Sequence, residues 1–374
     1  MNDYLKKQII SYMGNKRKML PHIEKIINNI KKKCKKKKLI LADGFSGSGI
    51  VSRLFKLHAE ILFSNDVAGY SKTLNSCYLD TPNKTQIERI QNYIDGANNF
   101  AYANDSTIPH WIRAHWAPSC DNIEEGERVY YTPENARRID YYRFFIENIP
   151  NQYKKYLLAP LLVEASIHTN TSGHFSAFYK MKNKGHYGGK TGTDLKRITQ
   201  PIRLYMPIFS PKKCKTIISQ QDANQWIKGI PEVDVAYYDP PYNKHPYSIY
   251  YFLLDIINNW DTSIEIPKTL RGQPKTWKKS KYNSYTHAKS AFSDLIQNTK
   301  AKFIIISYNN GGIIPLGEIE EILKKKGKVD KIPITHNIYN RMKGIANWKR
   351  KEEKVAIKEF FWLVDCRLIT MPMV

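Results

Sequence analysis

The sequence predicts an α/β fold in which helices alternate with the strands of a largely parallel sheet. Two short apolar runs, Ile61–Asp66 and Lys215–Asp222, end at acidic residues, as buried strands do when they reach a sheet edge that binds ligands. A third run begins at Leu39 and continues into a glycine-rich turn. The strand–helix pattern fades between about Tyr70 and Pro211. The pattern therefore predicts a sheet domain interrupted by an insertion.

The N-terminal segment predicts a turn that leads into an amphipathic helix. Gly14 lies in the turn, and Tyr12 and Lys16 bracket it. Apolar residues then recur at helical spacing at Leu20, Ile23, Ile26, Ile27 and Ile30. An ordinary loop before a helix gives the same pattern, so this segment alone does not indicate a ligand site.

The segment Asp43-Gly-Phe-Ser-Gly-Ser-Gly49 follows the strand that begins at Leu39. Gly44, Gly47 and Gly49 allow a sharp turn and a close approach of the backbone to a ligand. The N–H groups that start the next helix are suited to a carboxylate or a ribose. The spacing is not Gly-x-Gly-x-x-Gly, which weighs against a nicotinamide cofactor.

Asp66 ends the second predicted strand, and Asp222 ends a later one. In nucleotide-binding α/β folds, an acid after the second strand accepts hydrogen bonds from ribose hydroxyls. The alternatives are that Asn65 has this role instead, or that Asp66 is a simple cap without a ligand.

The segment Asp239-Pro-Pro-Tyr242 follows the apolar run Val235–Tyr238. Pro240 and Pro241 stop the strand and supply no N–H donors, so only acceptors accompany the Asp239 carboxylate. Such a site suits an exocyclic amine, and the ring of Tyr242 offers a surface on which a base can stack. The alternative is a Pro-Pro turn with Asp239 as a cap.

The insertion is rich in aromatic and basic residues, so we expect it to be the part of the chain that binds a large partner. Leu157–Ile167 predicts a buried helix, and residues 168–180 and 182–190 predict exposed loops. The histidines at 168, 174 and 186 lack ligand-like spacing, which favours surface hydrogen bonding over a metal site.

The α/β pattern then continues to the C-terminus. The predicted elements are a helix from about Ile249 to Trp260, a strand at Phe303–Asn309, a helix near Glu318–Lys325, and two strands within Lys328–Val364. A long basic loop, Thr335–Lys354, joins the last two strands and contains Arg341 and Lys343.

Composition indicates a polyanionic partner. Among 374 residues, 59 Lys and Arg against 34 Asp and Glu give a net charge of +25. The aromatic rings of 25 tyrosines alternate along the chain with these charged residues, a composition that favours nucleic acid over a membrane as the partner. No apolar run approaches the ~20 residues of a membrane span. The five scattered cysteines and the polar N-terminus favour a reduced, cytoplasmic protein without structural zinc.

Taken together, these segments resemble the D12-class, alpha-group DNA adenine N6-methyltransferases. Tyr12-Met-Gly-Asn-Lys16 is similar to the N-terminal cofactor motif, Asp43–Gly49 to the Phe-x-Gly-x-Gly motif, and Asp239–Tyr242 to the catalytic motif. The insertion occupies the position of the target-recognition domain. Further similarity lies in Tyr131–Asp140 and Ile306–Gly311.

The resemblance implies a Rossmann-like, S-adenosylmethionine-dependent methyltransferase sheet, formed by residues 1–75 and 212–374, with a target-recognition domain at 76–211. It implies catalytic roles for Asp239, Pro240, Pro241 and Tyr242, with Asp239 and the Pro240 carbonyl accepting from the target amine. The cofactor-binding residues that the resemblance implies are Tyr12, Gly14, Lys16, Asp43, Gly44, Phe45, Ser46, Gly47, Gly49, Asp66, Asp222 and Asp239. The residues expected to contact DNA are His174, Lys180, Lys190, Arg197, Arg341 and Lys343; no metal is expected.

One departure from the family pattern concerns the residues after the catalytic motif. His245-Pro246 stands where an Arg-Gln type pair is expected, so the roles of those two positions are open. The expected function is site-specific methylation of a flipped adenine in double-stranded DNA, in a restriction–modification system with a possible cognate endonuclease. The expected location is the cytoplasm, in association with the nucleoid. The alternatives are a cytosine-N4 methyltransferase, an RNA methyltransferase, or a DNA-binding specificity subunit without turnover.

Overall fold

The computed structural model describes residues 3–102, 107–275, 279–334 and 359–368. Within these ranges the chain alternates helices and strands, with short 3₁₀ helices at Asp3–Leu5, Lys16–Met19 and Lys281–Asn283. The α-helices are α1 (Leu20–Cys34), α2 (Ile50–Lys56), α3 (Gly69–Tyr78), α4 (Lys84–Tyr102), α5 (Trp111–Trp116), α6 (Pro133–Glu147), α7 (Asn151–Ile167), α8 (Leu195–Thr199), α9 (Ala223–Gly229), α10 (Tyr247–Asn259), α11 (Ala288–Asn298) and α12 (Leu316–Lys324).

Most of the described strands belong to one sheet. The strands are β1 (Leu39–Asp43), β2 (Ala59–Asn65), β3 (Lys180–Met181), β4 (Lys184–Gly185), β5 (Lys215–Ser219), β6 (Val233–Tyr238), β7 (Ala301–Asn309), β8 (Lys328–Ile334) and β9 (Glu359–Asp365). The sheet has seven strands in the order β5-β2-β1-β6-β7-β9-β8, and β3 and β4 form a separate hairpin. The predicted α/β fold is therefore confirmed.

The chain divides into two compact units. The first unit comprises Met1–Lys38, Ser46–Gln221 and Tyr247–Lys278, and the second comprises Leu39–Phe45, Asp222–Pro246 and Lys279–Val374. In the second unit, β1 and β7 each pair in parallel with β6, whereas β9 runs antiparallel to both β7 and β8. Parallel pairing brings the carboxyl ends of β1, β6 and β7 to one edge of the sheet.

The first unit has a parallel β2–β5 pair and a large helical core. Helix α7 packs against α3, α6 and α10, and α6 also packs against α4 and α5. Its buried side chains include many rings, among them Trp116, Tyr130, Tyr141 and Tyr142. Helices of the predicted insertion therefore share one apolar core with α3 and α10.

Local sequence signals explain several helix ends. Thr132 caps α6 by accepting a hydrogen bond from the Asn135 N–H, and Pro133 occupies the first helical position. Helix α1 ends at Cys34, and the left-handed conformation of Lys35 lets the Lys36 N–H donate to the Lys31 carbonyl at 3.0 Å.

Most predicted elements lie where the sequence placed them. Leu157–Ile167 lies within buried α7, and the helix expected from about Ile249 is α10. The strand expected to reach Asp222 ends earlier, at Ser219, because Asp222 caps α9 instead. None of the helices in the described ranges is both long and apolar enough to cross a membrane.

Candidate active site and cofactor-binding motifs

In the first unit, the second half of the glycine-rich turn, Ser46–Gly49, is hydrogen-bonded to the end of β2 and the residue after it. The Ser46 N–H donates to the Asn65 carbonyl at 3.0 Å, and the Gly47 N–H donates to Asp66 Oδ2 at 2.8 Å. The Gly49 N–H donates to the Ser46 carbonyl at 2.7 Å. The carboxylate that the turn meets in this structure is therefore that of Asp66.

Gly47 is needed because the ring of Tyr12 lies directly on the turn. Gly47 has a φ of +50°, and a Cβ added there would lie 2.8 Å from Tyr12 Cε1. The Tyr12 ring stacks on Tyr251 at 4.7 Å between centroids and on Tyr247 at 5.2 Å. Its hydroxyl accepts a hydrogen bond from the Tyr70 hydroxyl at 3.4 Å. The N-terminal motif and the glycine-rich turn thus meet in one aromatic cluster.

Asp66 joins that cluster to the start of α3. Its Oδ1 accepts from the Ala68 N–H at 2.9 Å, while Oδ2 accepts from Gly47. Burial raises the pKa of this carboxyl, and the backbone N–H groups of Ala68 and Gly47 oppose the rise. Asp66 thus forms a local turn before α3, whose N-cap is Ala68 without a side-chain cap, and a ribose contact for Asp66 stays a prediction.

Ser46 is held by a buried polar network. Its Oγ accepts from Asn75 Nδ2 at 2.9 Å and lies 3.2 Å from Ser71 Oγ. Asn75 Oδ1 is buried and accepts no hydrogen bond. A Cβ added at Gly49 would lie 2.6 Å from that oxygen. Glycine at position 49 therefore leaves room for this unsatisfied acceptor beside the turn.

The N-terminal turn matches its prediction in geometry. Gly14 is exposed with a φ of 72°, in the left-handed region that favours glycine. Asn15 Oδ1 accepts from the Arg17 N–H at 2.9 Å and so caps the following 3₁₀ helix. Lys16 is 4% exposed, an unusual position for a lysine.

In the second unit, Asp239 follows the fully buried strand β6. Asp43 pairs with Tyr237 across β1 and β6, and the Gly44 N–H donates to the Tyr237 carbonyl at 3.0 Å. Asp43 and Asp239 therefore lie at the same edge of the sheet. Asp239 is partly exposed there, Pro240 is buried, and Pro241 and Tyr242 are partly exposed.

Contacts that the sequence did not reveal hold the Asp239–Tyr242 segment and the residues after it. The Tyr242 carbonyl accepts from the Ile313 N–H at 3.1 Å, and its ring meets Tyr308 edge-on at 5.9 Å. The Asn243 carbonyl accepts from Asn283 Nδ2 at 2.6 Å. Tyr308 lies within the similar segment Ile306–Gly311, whereas no sequence signal marks Asn283.

Two predicted cofactor residues of the second unit have packing roles. A Cβ at Gly44 would lie 2.6 Å from the ring of Tyr238, so this glycine is required by a neighbouring side chain. Phe45 packs edge-on against Tyr282, with 5.2 Å between ring centroids. Asp222 is exposed and caps α9 by accepting from the N–H groups of Asn224 and Gln225.

The predicted exposure of residues 168–180 is wrong for much of the segment. Asn170 and Phe175 are at most 1% exposed, and His168 is buried. The Asn170 amide donates to the carbonyls of Val129 and His186. His168 bonds Glu164 through Nε2 and the Arg197 carbonyl through Nδ1. The polar side chains expected at the surface therefore find their hydrogen-bond partners, mostly backbone carbonyls, inside the first unit.

The residues expected to contact DNA differ in their surroundings. Lys190 is exposed, and Lys180 lies in β3 with its Nζ 5.2 Å from the Phe178 ring centroid. His174 is partly buried against Tyr250, and burial lowers its pKa. At neutral pH a histidine in this position is a hydrogen-bonding group rather than a cation.

Arg197 has a structural role. Its guanidinium donates to the carbonyls of Ile167, Thr169 and Thr171, and its Nε lies 3.4 Å from Asp194. These bonds engage both terminal nitrogens and the Nε, so Arg197 holds the loop after α7 in place. Arg341 and Lys343 lie outside the described residues. In the described ranges, no group of three or more His, Cys, Asp or Glu side chains is placed to hold a metal ion.

Comparison with known proteins identifies relatives over most of the chain. Residues 12–322 match the model of the D12 class N6 adenine-specific DNA methyltransferase family. The chain is 28% identical over 362 residues to Type II methyltransferase M.NlaIII of Neisseria lactamica, covering 95% of this chain and 99% of that protein.

Two further relatives show the same similarity. Type II methyltransferase M.CviAII of Paramecium bursaria Chlorella virus 1 is 28% identical over 332 residues, covering 87% of this chain and 91% of that protein. Modification methylase StsI of Streptococcus sanguinis is 31% identical over 328 residues, covering 84% of this chain and 46% of that protein.

Proposed function

The chain belongs to the D12 class of N6 adenine-specific DNA methyltransferases, and we propose that it transfers a methyl group from S-adenosylmethionine to the N6 amine of a flipped adenine. The observation that carries the proposal is Asp239-Pro-Pro-Tyr242 at the carboxyl end of β6, at the same sheet edge as Asp43. Both the family and the chemistry of this segment support an adenine amine as the acceptor of the methyl group.

The residues of the catalytic motif are suited to hold an amine. The Asp239 carboxylate and the Pro240 carbonyl are acceptors, and neither proline has an N–H to compete with them. An N6 amine that donates both hydrogens to these acceptors is fixed in orientation, and such positioning can supply ~7–11 kcal/mol of the barrier. The contacts to the Tyr242 and Asn243 carbonyls keep the segment in place.

The adenine must leave the duplex before it can reach these acceptors, at a cost of a few kcal/mol. The ring of Tyr242 is partly exposed beside Tyr308. Stacking of the flipped base on this ring would return ~1–3 kcal/mol. Tyr242 is therefore assigned to the extruded base.

The first unit offers groups that fit S-adenosylmethionine. The cofactor carries ribose hydroxyls, an ammonium group, a carboxylate and a sulfonium, and when bound it supplies the methyl group. Asp66 offers an acceptor for hydroxyls, the buried Lys16 offers a cation for the carboxylate, and Tyr12 offers an aromatic face. The buried and unsatisfied Asn75 Oδ1 is a further acceptor beside the turn. Cofactor contacts are also assigned to Gly14, Asp43, Gly44, Phe45, Ser46, Gly47, Gly49, Asp222 and Asp239.

The remaining parts of the function follow from charge and from the relatives. Lys180 and Lys190 of the insertion are assigned to the DNA backbone, and the net charge of +25 supports an electrostatic contribution to binding. Because the similar proteins are named Type II methyltransferases and modification methylases, we assign the chain to a restriction–modification system. A cognate endonuclease as partner and a cytoplasmic, nucleoid-associated location belong to the same proposal.

A paired measurement on Asp239→Asn tests the catalytic assignment. Single-turnover methylation of unmethylated genomic DNA should slow by ~10²-fold or more, because one acceptor for the amine is replaced by an amide. The dissociation constant for S-adenosylmethionine, measured by calorimetry, should rise by far less than the rate falls, because Asp239 is only one of many assigned cofactor contacts. Asp330→Asn, which changes an exposed acid on β8, is the matched control and should leave both values unchanged. Full activity of Asp239→Asn would remove the role assigned to this carboxylate.

A further inference from the structure

Helix α5 and the chain that follows it line an open cavity in the first unit, and the proposed function uses none of the residues in its walls. The cavity has a volume of about 520 Å³, within the ~300–1,000 Å³ of most ligand sites. Its walls come from residues between 110 and 119, from residues 126–128, and from residues 268 and 269 of the loop after α10. The cavity is therefore large enough to take a ligand.

Positive charge dominates the described walls of this cavity. Arg113 and Arg128 are partly exposed in it, and Lys268 is exposed. Within the described ranges, none of these three cations lies within ion-pair distance of a carboxylate. Glu127 also lines the cavity, and its Oε1 accepts from the Ser119 N–H at 2.8 Å and from the Ser119 hydroxyl at 2.7 Å. Three positive charges therefore line the cavity together with one negative charge that has local donors.

Arg128 is held in place by backbone carbonyls on two sides of the cavity. Its guanidinium donates to the carbonyl of His115 at the end of α5 and to the carbonyls of Pro267 and Thr269. A Cβ added at Gly272 would lie 2.7 Å from the Arg128 Cζ, so this glycine leaves room for the guanidinium. Carbonyl groups fix the orientation of the cation without neutralising its charge. Arg128 is thus a built-in positive charge of the wall.

The helix that carries Arg113 is fixed at its start by Asp140 of α6. The Asp140 carboxyl group accepts from the N–H groups of Ile112 and Arg113 at 2.7 and 3.0 Å. The rings of His110 and His115 also line the cavity, and burial lowers the pKa of each, with a further lowering at His110 from Arg113. At neutral pH these two rings are therefore hydrogen-bonding groups rather than cations.

Such walls are suited to a phosphate group. Guanidinium and ammonium groups bind phosphate oxygens through charge-assisted hydrogen bonds, and an arginine can contribute two parallel bonds. Apart from the two imidazoles, no aromatic ring belongs to the described walls, so they offer little surface on which a base could stack. The charged backbone of a nucleic acid fits this cavity better than a base does.

The cavity adjoins the hairpin to which a DNA contact is already assigned. Strand β4 lies so close to the chain beside the cavity that a Cβ added at Gly185 would overlap the Val129 side chain. The Asn170 amide donates to the carbonyls of both Val129 and His186 and so joins the two segments. Strand β3 of the same hairpin carries Lys180. A duplex bound at the hairpin therefore lies near the cavity.

We propose that this cavity binds a phosphate group of the DNA backbone, with Arg113, Arg128 and Lys268 supplying the positive charge. The inference rests on the proposed function, because it takes DNA as the polyanion that the chain binds. A backbone contact positions the duplex on the protein and reads no base. Its contribution is therefore the same for every DNA sequence and falls as salt rises.

Filter binding of the full chain to a short, unmethylated DNA duplex of random sequence tests the inference. Arg113→Gln and Lys268→Gln should each reduce the slope of log affinity against log salt by about one, because each removes one cation that faces the phosphate. Lys84→Gln is the matched control. It makes the same chemical change at an exposed lysine of α4 outside the cavity, and it should keep the wild-type slope.

A second pair of variants adds a charge to the cavity without removing any contact. Ala114 is an exposed residue of α5 that lines the cavity. Ala114→Glu places a carboxylate there, and Ala114→Gln places a neutral side chain of the same size. At low salt, Ala114→Glu should bind the duplex several-fold more weakly than Ala114→Gln, and the difference should shrink as salt rises. Urea unfolding of both variants checks that the fold is retained.

Three outcomes would overturn the inference. The first is a wild-type salt slope in both Arg113→Gln and Lys268→Gln, and the second is equal affinity of Ala114→Glu and Ala114→Gln for the duplex. The third comes from calorimetry with inorganic phosphate: binding that Arg113→Gln abolishes, without any change in the DNA salt slope, would assign the cavity to a free anion instead.

Methylation by the wild type separates this inference from the proposed function. If the wild type methylates DNA and the cavity variants bind DNA normally, the inference alone fails. If the wild type binds DNA with the expected slopes but transfers no methyl group, the proposed function fails and the phosphate site stands.

Discussion

Replacing Gly47 by alanine should destabilise the first unit and weaken cofactor binding together. Gly47 has a φ of +50°, and the new Cβ would lie 2.8 Å from Tyr12 Cε1. Gly192 is the matched control, because it has a φ of +65° with nothing within 4 Å of an added Cβ. Gly192→Ala therefore reports backbone strain alone, whereas Gly47→Ala adds displacement of the Tyr12 ring.

The structure sets the size of each effect. A left-handed conformation costs an L-residue about 1–2 kcal/mol, which both variants incur. In Gly47→Ala, the Tyr12 ring must also leave its stacks on Tyr247 and Tyr251. Each aromatic pair contributes about 0.5–1.5 kcal/mol beyond burial. Gly47→Ala should thus lose ~1–3 kcal/mol more unfolding free energy than Gly192→Ala.

Urea unfolding of the two variants and the wild type measures this difference. Calorimetry with S-adenosylmethionine then shows whether the displaced ring matters for binding: the dissociation constant should rise for Gly47→Ala and stay at the wild-type value for Gly192→Ala. Equal losses of stability in the two variants would refute the argument that Tyr12 packs against this glycine.

Three further predictions concern other parts of the molecule. Asn283→Ala removes the donor to the Asn243 carbonyl; single-turnover methylation should slow several-fold at saturating cofactor, and an unchanged rate would show that this bond does not position the catalytic segment. Lys190→Gln should reduce the slope of log affinity for DNA against log salt, measured by filter binding, by about one. Arg197→Gln should instead lower the unfolding free energy, measured in urea, by about 2 kcal/mol or more, because its bonds to three carbonyls are lost. A loss of stability in Lys190→Gln with a reduced salt slope only in Arg197→Gln would contradict both roles. For Asp140, whose pKa is raised to about 7 by burial, the proton held in the folded state stabilises it at low pH, and this contribution is lost as pH rises through 7. Wild-type unfolding free energy should therefore fall more between pH 5 and pH 8 than that of Asp140→Asn, and equal falls would exclude this contribution.

The parts of the fold that depend on local patterns were predictable from the sequence. The apolar runs that end near acids became β1, β2, β5 and β6, and the apolar stretch before His168 became buried α7. The positions of Asp66 and Asp239 follow from where those strands end. These features depend on residues close together in the chain, which periodicity and strand-breaking residues report well.

Features that depend on distant partners were not predictable. Residues 168–171 look like a polar loop, yet they are buried because Asn170 and His168 bond groups from residues 129, 164, 186 and 197. Gly44 looks like a ligand-facing glycine, but its hydrogen faces the ring of Tyr238. Partners that only folding brings together, whether hydrogen-bonding groups or a neighbouring ring, decided each of these positions.

The most direct test of the account is the identity of the methylated nucleoside. The full chain is incubated with labelled S-adenosylmethionine and unmethylated genomic DNA, and the DNA is then digested to nucleosides and separated. We expect the label in N6-methyladenine, with a loss of ~10²-fold or more in Asp239→Asn. Label in N4-methylcytosine would contradict the assignment of the target base, and absence of label in DNA would contradict the proposed activity.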